Sequence, residues 1–434
     1  MKTTLNGSNS ASILHKLSGA NARFAADYPG DSAERQPVHT VYGGAHLFRS
    51  DSAAALGRKA LEALRRYAPN SATLAAATGL PASIGAAVYE RVVAKLEREP
   101  VEDYRIDFED GYGNRPDPEE DAEAERTAGE MARGMDDRSL PPFVGIRIKP
   151  FTEVLRARSV RTLDIFLSAL LGRSGARLPA GFVVTLPKIQ VPEQVAALAD
   201  LFDVFEGEHG LHRGSLRMEF MIETPQSIVN TRGEFALPGL VAAARGRCRG
   251  AHFGTYDYTA LCNITAAHQH MLHPACDYAR QAMLVCLAQR GIFLSDGATN
   301  IMPISRDGDV GAIHRAWRLH VEHIGNSLVN AFYQGWDLHP AQLPTRYAAI
   351  YSFFLEGLDA ATARLKNFIE RAAQATLVGD VFDDAATGQG LLNYFLRGLG
   401  CGALTEDEVL ATGLTLAELR TRSFLKILEG RRAG

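Results

Sequence analysis

Eight short apolar runs, separated by stretches of helical periodicity, occupy the first three-quarters of this sequence. They are Val38–Tyr42, Tyr104–Phe108, Phe143–Lys149, Phe182–Lys188, Leu216–Glu223, Gly250–Gly254, Gly291–Asp296 and Trp336–Pro340. Each has strand length. Between them, segments such as Ala53–Tyr67 and Ser83–Glu97 repeat apolar residues three and four apart, as one face of a helix requires. Regular β/α alternation restricts a chain to a parallel sheet covered by helices. About eight such units predict an α/β fold, a (β/α)8 TIM barrel over residues 37–345. A doubly wound open sheet alternates in the same way, but its Gly-rich fingerprint is missing, since the first run ends in Gly43-Gly44-Ala45. Strand signals stop after Tyr347. Ala349–Glu356, Asp359–Thr376, Gly388–Leu399 and Thr415–Glu429 predict a helical C-terminal domain, 346–434. Residues 1–36 read as an N-terminal arm with a short helix over Ser10–Leu17.

Most of the runs end in or near a polar residue: Glu109, Arg147, Lys188, Glu223, Asp257, Asp296 and His339. In such barrels the active site lies at the C-terminal ends of the strands. Glu223 and Asp257 follow consecutive runs. Pro225 prevents the first ladder from continuing, and Gly254 punctuates the second. Neighbouring strands lie ~4.8 Å apart, so both carboxylates can reach one ion through bonds of ~2.1 Å. A site of oxygen donors without cysteine or paired histidine suits Mg2+, with Mn2+ as the alternative, rather than Zn2+. Two protein ligands leave room for a chelating 2-oxo acid, whose carbonyl the metal would polarise. Arg147 is placed to stabilise an oxyanion or grip a carboxylate. The plain alternative is a salt-bridge network of strand-end carboxylates, and the residues alone leave these two readings even.

The net charge of −4 gives no electrostatic case for binding nucleic acid or an anionic membrane. No apolar run approaches the ~20 residues of a membrane helix, and the N-terminus lacks the apolar core of a signal peptide. The five cysteines form no CxxC pair, which points to reduced thiols and a cytoplasmic location. Small-molecule substrates are the expected partners, and nothing opposes a homo-oligomer. The acidic run Glu119–Glu125 reads as a solvated helix face, with Asp117 as N-cap, Pro118 in the first turn and Glu120 closing a capping box. His268, His270, His273 and Cys276 have no zinc-site spacing. His320 and His323 are expected on the surface or packed edge of a helix.

Several segments together resemble the malate synthase and citrate lyase β-subunit superfamily. Met-Ile-Glu-Thr-Pro-Gln-Ser-Ile at 221–228 and Phe-Gly-Thr-Tyr-Asp-Tyr-Thr at 253–259 resemble its metal-binding pair. In the same order, Asp107–Asp110 resembles its acidic strand end, Ile146–Pro150 its arginine strand, Leu186-Pro187-Lys188 its Pro-Lys motif and Trp336–Gln342 its His-Pro motif. Phe382–Thr387 resembles the malate synthase segment whose aspartate deprotonates the acetyl methyl group. The resemblance implies Glu223 and Asp257 as metal ligands and Arg147 and Asp384 as catalytic residues, Asp384 being the base. It implies substrate contacts at Gly254, Thr255, Tyr256, Lys188, Glu109, Asp110 and His339. The activity implied is a Mg2+-dependent Claisen or aldol lyase or synthase acting on a 2-oxo acid such as glyoxylate, with a coenzyme A thioester as co-substrate. The sequence departs from malate synthase at Tyr256, where tryptophan is usual, and in the segments after Arg147 and Thr387, which leaves the substrate pair open. Phosphoenolpyruvate-type phosphoryl transfer on the same barrel and a non-catalytic binding barrel are the rival readings.

Overall fold

A computed structural model describes residues 4–5, 7–32, 34–305, 307–370, 376–378, 381–383 and 385–433. Eight parallel strands close into a barrel in sequence order: β1 (His39–Gly44), β2 (Asp103–Asp107), β3 (Phe143–Arg147), β4 (Val183–Leu186), β5 (Arg217–Ile222), β6 (Cys248–Phe253), β7 (Phe293–Ala298) and β8 (Gln334–Asp337). β8 pairs with β1, so no edge is left open. The (β/α)8 barrel is therefore the fold, and a helical region follows it.

Between the strands run the helices Gly85–Arg98, Asp117–Asp137, Arg156–Ser174, Pro192–Glu208, Leu237–Ala243, Pro274–Leu287 and Val310–Val329. Leu343–Glu356 follows β8 and packs against Val310–Val329 and Gly85–Arg98, completing the ring. Outward strand residues such as Ile106, Ile146, Val184, Phe220 and Ala251 are buried with the inner faces of these helices. That apolar shell leaves the opposite face of each strand to the barrel axis.

Several expectations change. The arm carries a longer helix, Gly7–Asp27, exposed along nearly its whole length. Ser71–Thr78 is an additional helix, capped by Asn70, whose side chain accepts from the Thr73 N–H. Pro116, not Asp117, precedes the acidic helix and makes no side-chain cap. Glu120 is not solvated. It lies fully buried, accepting from Thr162 Oγ1 at 2.6 Å and pairing with Lys149 at 3.0 Å. His320 and His323 take the packed edge of their helix rather than its surface, buried and bonded to Thr345 and Thr299. Beyond Leu358–Glu370 a short antiparallel pair, Thr376–Val378 with Val381–Asp383, interrupts the helices. Ala385–Gly400, Glu406–Leu410, Leu416–Arg420 and Phe424–Ala433 complete the chain.

Candidate active site at the barrel mouth

The register of β2 and β3 sets Asp107 directly beside Arg147. Asp107 holds the guanidinium bidentately, with Nε to Oδ1 at 2.7 Å and the second bond to Oδ2 at 2.5 Å. The same carboxylate accepts from the backbone N–H groups of Glu109 and Gly111. It therefore orients the arginine and folds the following loop back, which delivers Glu109 to the third guanidinium nitrogen at 3.1 Å. Such bidentate geometry is available to arginine and not to lysine. Both Asp107 and Arg147 are buried.

β4 ends in Leu186, and Pro187 leads into Lys188, whose φ is +51°. A non-glycine residue in the left-handed region is uncommon and costs conformational energy. Here it turns the Lys188 N–H onto Glu223 Oε1 at 2.8 Å. The Lys188 ammonium reaches Glu109 at 2.5 Å, Asp110 at 3.2 Å and Asp257 at 3.3 Å. Burial alone would depress this ammonium, but Glu223, Glu109 and Asp110 more than offset it and hold its pKa above the usual value. One lysine thus ties together Glu109, Asp110, Glu223 and Asp257.

Glu223 follows β5 and Asp257 lies in the first turn of helix Thr255–Leu261 after β6, so the two come from neighbouring strands. Glu223 is 1% exposed. Burial, with the negative charge of Asp257 and Glu109, outweighs Lys188 and Arg147 and pushes its carboxyl up to about 8. A carboxyl shifted this far by burial and by neighbouring carboxylates is a candidate functional group. Gly254 has a steric reason: a Cβ there would stand 2.4 Å from Glu223 Cβ and 2.6 Å from Oε2. Thr255 adds a buried hydroxyl that has no hydrogen-bond partner among the described residues.

Other expected contacts have structural duties. The Tyr256 hydroxyl donates to Ala298 O at 2.7 Å and accepts from the Asn300 N–H at 3.1 Å, joining its helix to the end of β7. His339 caps the short 3-10 turn Pro340–Gln342, its Nδ1 accepting from the Ala341 N–H. It also lines a cleft of about 640 Å3 beside β1 with Tyr42, Lys59 and Arg66. Asp296 turns away from the mouth and pairs with Arg280 and Ser327. Asp384 lies outside the described residues.

Among the described residues, no three His, Cys, Asp or Glu side chains are grouped so as to hold a metal ion. The donor set nonetheless fits a hard divalent cation served by two protein ligands: oxygen atoms only, in excess of the local cations. Sequence reasoning missed Asp107 as the residue that orients Arg147, and also Tyr42 beneath it. Their signal was the period-2 spacing of polar residues in strands covered outside by helices. None of the described helices is long and apolar enough to cross a membrane.

Among solved structures, a citrate lyase from Burkholderia xenovorans LB400 is similar, with a TM-score of 0.57 and 19% identity over 75% of this chain and 92% of that one. A lead(II) complex of Haloferax volcanii malate synthase matches with a TM-score of 0.48 and 15% identity over 90% of this chain and 99% of its own. The same enzyme with magnesium and glyoxylate gives 0.48 and 15% over 90% and 98%. The first likeness supports the barrel architecture. No curated protein matches the chain in sequence. The chain belongs to the family described as a domain of unknown function, DUF6986, whose model matches residues 17–427.

Proposed function

We propose that this protein is a Mg2+-dependent carbon–carbon lyase or synthase of the Claisen or aldol type, acting on a 2-oxo acid and an acyl thioester. One observation carries the reading. Glu109, Asp110 and Asp257 gather around the Lys188 ammonium and Glu223 accepts from the Lys188 backbone N–H, next to a buried and oriented Arg147. The fold-level likeness to a citrate lyase and the ordered motif resemblance agree with it.

Glu223 and Asp257 would hold the metal, and Lys188 would yield part of its contact with Asp257. When bound, the ion supplies Lewis-acid polarisation of a carbonyl and a charge that chelates a 2-oxo acid. Arg147, already fixed by Asp107, presents its N–H groups to oxygen that gains negative charge as the carbon–carbon bond forms or breaks. No reorientation of this group is needed during reaction. Asp384, by the motif resemblance, takes the proton from the carbon nucleophile. A positioned base of this kind contributes ~10²–10⁴ in rate.

The test is a screen of 2-oxo acids against acyl-CoA thioesters, and of the corresponding hydroxyacyl-CoA products, for Mg2+-dependent condensation or cleavage. Native protein should turn over at least one pair, with turnover lost on chelation and in Glu223→Ala. Activity that survives both treatments contradicts the reading. Asp384→Asn should keep 2-oxo acid binding and lose turnover; unchanged turnover would demote Asp384 to a helix cap.

A further inference from the structure

We propose that Tyr42 is a positioning residue for Arg147, held in place from below by a Glu219–His252 pair that runs through the barrel core. Its consequence for substrate rests on the function proposed above.

Barrel interiors are ordinarily filled by branched apolar side chains. Here the axis carries Asp103, Arg105, Glu219 and His252, all buried. Arg105 donates to both oxygens of Asp103, at 3.0 and 2.8 Å, and to Glu219 Oε2 at 2.6 Å. His252 Nε2 lies 3.2 Å from the same Glu219 oxygen. Glu219 is an acceptor, because Arg105 and His252 overcome burial and hold its carboxyl well below the usual range. With Nε2 turned to Glu219, Nδ1 is the ring nitrogen that faces Tyr42. The Tyr42 hydroxyl stands 3.4 Å from that Nδ1. Gly250, level with Glu219 in the β5–β6 register, leaves this carboxylate its space: a Cβ there would meet Glu219 Oε1 at 3.3 Å.

Tyr42 carries the chain of contacts to the mouth. The Arg147 guanidinium lies over its ring, 5.0 Å from the centroid, and the ring packs against Trp336 at 4.7 Å. Asp107 and Glu109 grip the edges of the guanidinium. Carboxylates at the edges fix rotation within the plane. The aromatic face limits tilting out of it, by cation–π attraction and by contact. Tyr42 and Arg147 come from β1 and β3, and β2 between them supplies Asp107. The buried polar core thus ends in a platform for Arg147 at the barrel mouth. Buried ionic groups carry a desolvation cost, and orienting a functional group is a reason for keeping them.

The experiment compares native protein with Tyr42→Phe, Tyr42→Leu, His252→Gln and Arg147→Lys in two measurements. The first, on guanidinium-15N-labelled protein, is the exchange rate of the Arg147 Nε–H and needs no substrate. Tyr42→Leu should accelerate exchange by roughly tenfold, while Tyr42→Phe and His252→Gln, which each break the hydroxyl–imidazole contact but keep the ring, accelerate it by a few-fold at most. The second is the affinity for glyoxylate in the presence of Mg2+. It should fall about tenfold in Tyr42→Leu, recover in Tyr42→Phe, and be lost in Arg147→Lys, with Mg2+ binding alone unchanged in every Tyr42 variant. Unaltered exchange in Tyr42→Leu overturns the positioning role. So does equal damage by the Phe and Leu variants in proportion to lost thermal stability. Intact glyoxylate affinity in Arg147→Lys, with exchange altered in Tyr42→Leu, removes the functional reading and leaves the positioning standing.

Discussion

The barrel core and the barrel mouth are both charged, but they are balanced differently. In the core, Asp103 and Glu219 face Arg105 and His252, and each carboxylate has its cation or donor in direct contact. At the mouth, among the described residues, Asp107, Glu109, Asp110, Glu223 and Asp257 face Arg147 and Lys188 alone. The core network is closed. The mouth holds more carboxylates than cations, and Glu223 is pushed up first by burial and then by the charges of Asp257 and Glu109. A closed network orients what lies above it, whereas a surplus at a strand end is a demand for another cation.

The largest expected effect breaks the closed side. Arg105→Met leaves Asp103 and Glu219 buried without their partner, which should cost ~3–5 kcal/mol of stability in urea denaturation. A loss below ~1 kcal/mol would mean that water enters the core and the network is not closed. Acid–base behaviour separates the two sides next. The folded pKa of Glu223, about 8, lies above its usual 4.5. The metal-free fold therefore favours the protonated group: its stability contribution is full below the usual value and declines as pH rises to about 8. Against Glu223→Gln, the melting temperature of native protein without metal should fall over that window, and Mg2+ should cancel the fall. A flat difference would mean the surplus is already neutralised.

Gly254→Ala sharpens the mouth side. The added methyl displaces Glu223, and overpacking of this kind costs ~1–3 kcal/mol. Mg2+ affinity should fall with it, measured by calorimetry. Smallest is Tyr256→Phe, which removes the hydroxyl bridging Ala298 and Asn300 and should cost about 1 kcal/mol. It should leave Mg2+ affinity untouched, because this tyrosine ties a helix to β7 and takes no part in the carboxylate cluster.

The contrast also explains what could be read from residues. Strand order, parallel pairing and the carboxylates after β5 and β6 followed from local patterns, because a strand end followed by proline or glycine is written in adjacent residues. The closed core was not legible. Asp103-Tyr104-Arg105-Ile106-Asp107 reads simply as an alternating strand, and its partner Glu219 is more than a hundred positions away. Only barrel closure turns that alternation into an inward charge ladder. Glu120 failed for the same reason, and His320 and His323 were left between surface and packed edge: polar residues on helices look solvated until the layer that covers them is known. Lys188 was legible as a strand-end cation able to pair with Glu109 or Asp110, and both pairs form, but its left-handed backbone and its further contact with Asp257 are tertiary facts. The short pair Thr376–Val378 with Val381–Asp383 falls between the expected helices Asp359–Thr376 and Gly388–Leu399 and was not anticipated, because strands of three residues carry almost no periodicity.

The most direct measurement is calorimetric titration of metal-free protein with Mg2+, set beside Glu223→Gln and Asp257→Asn, whose shapes are preserved. A cation-deficient mouth predicts saturable binding of one Mg2+ per chain to native protein, with proton release below pH ~8, and its loss in both variants. Absence of binding to native protein, or equal binding by all three, would contradict the account.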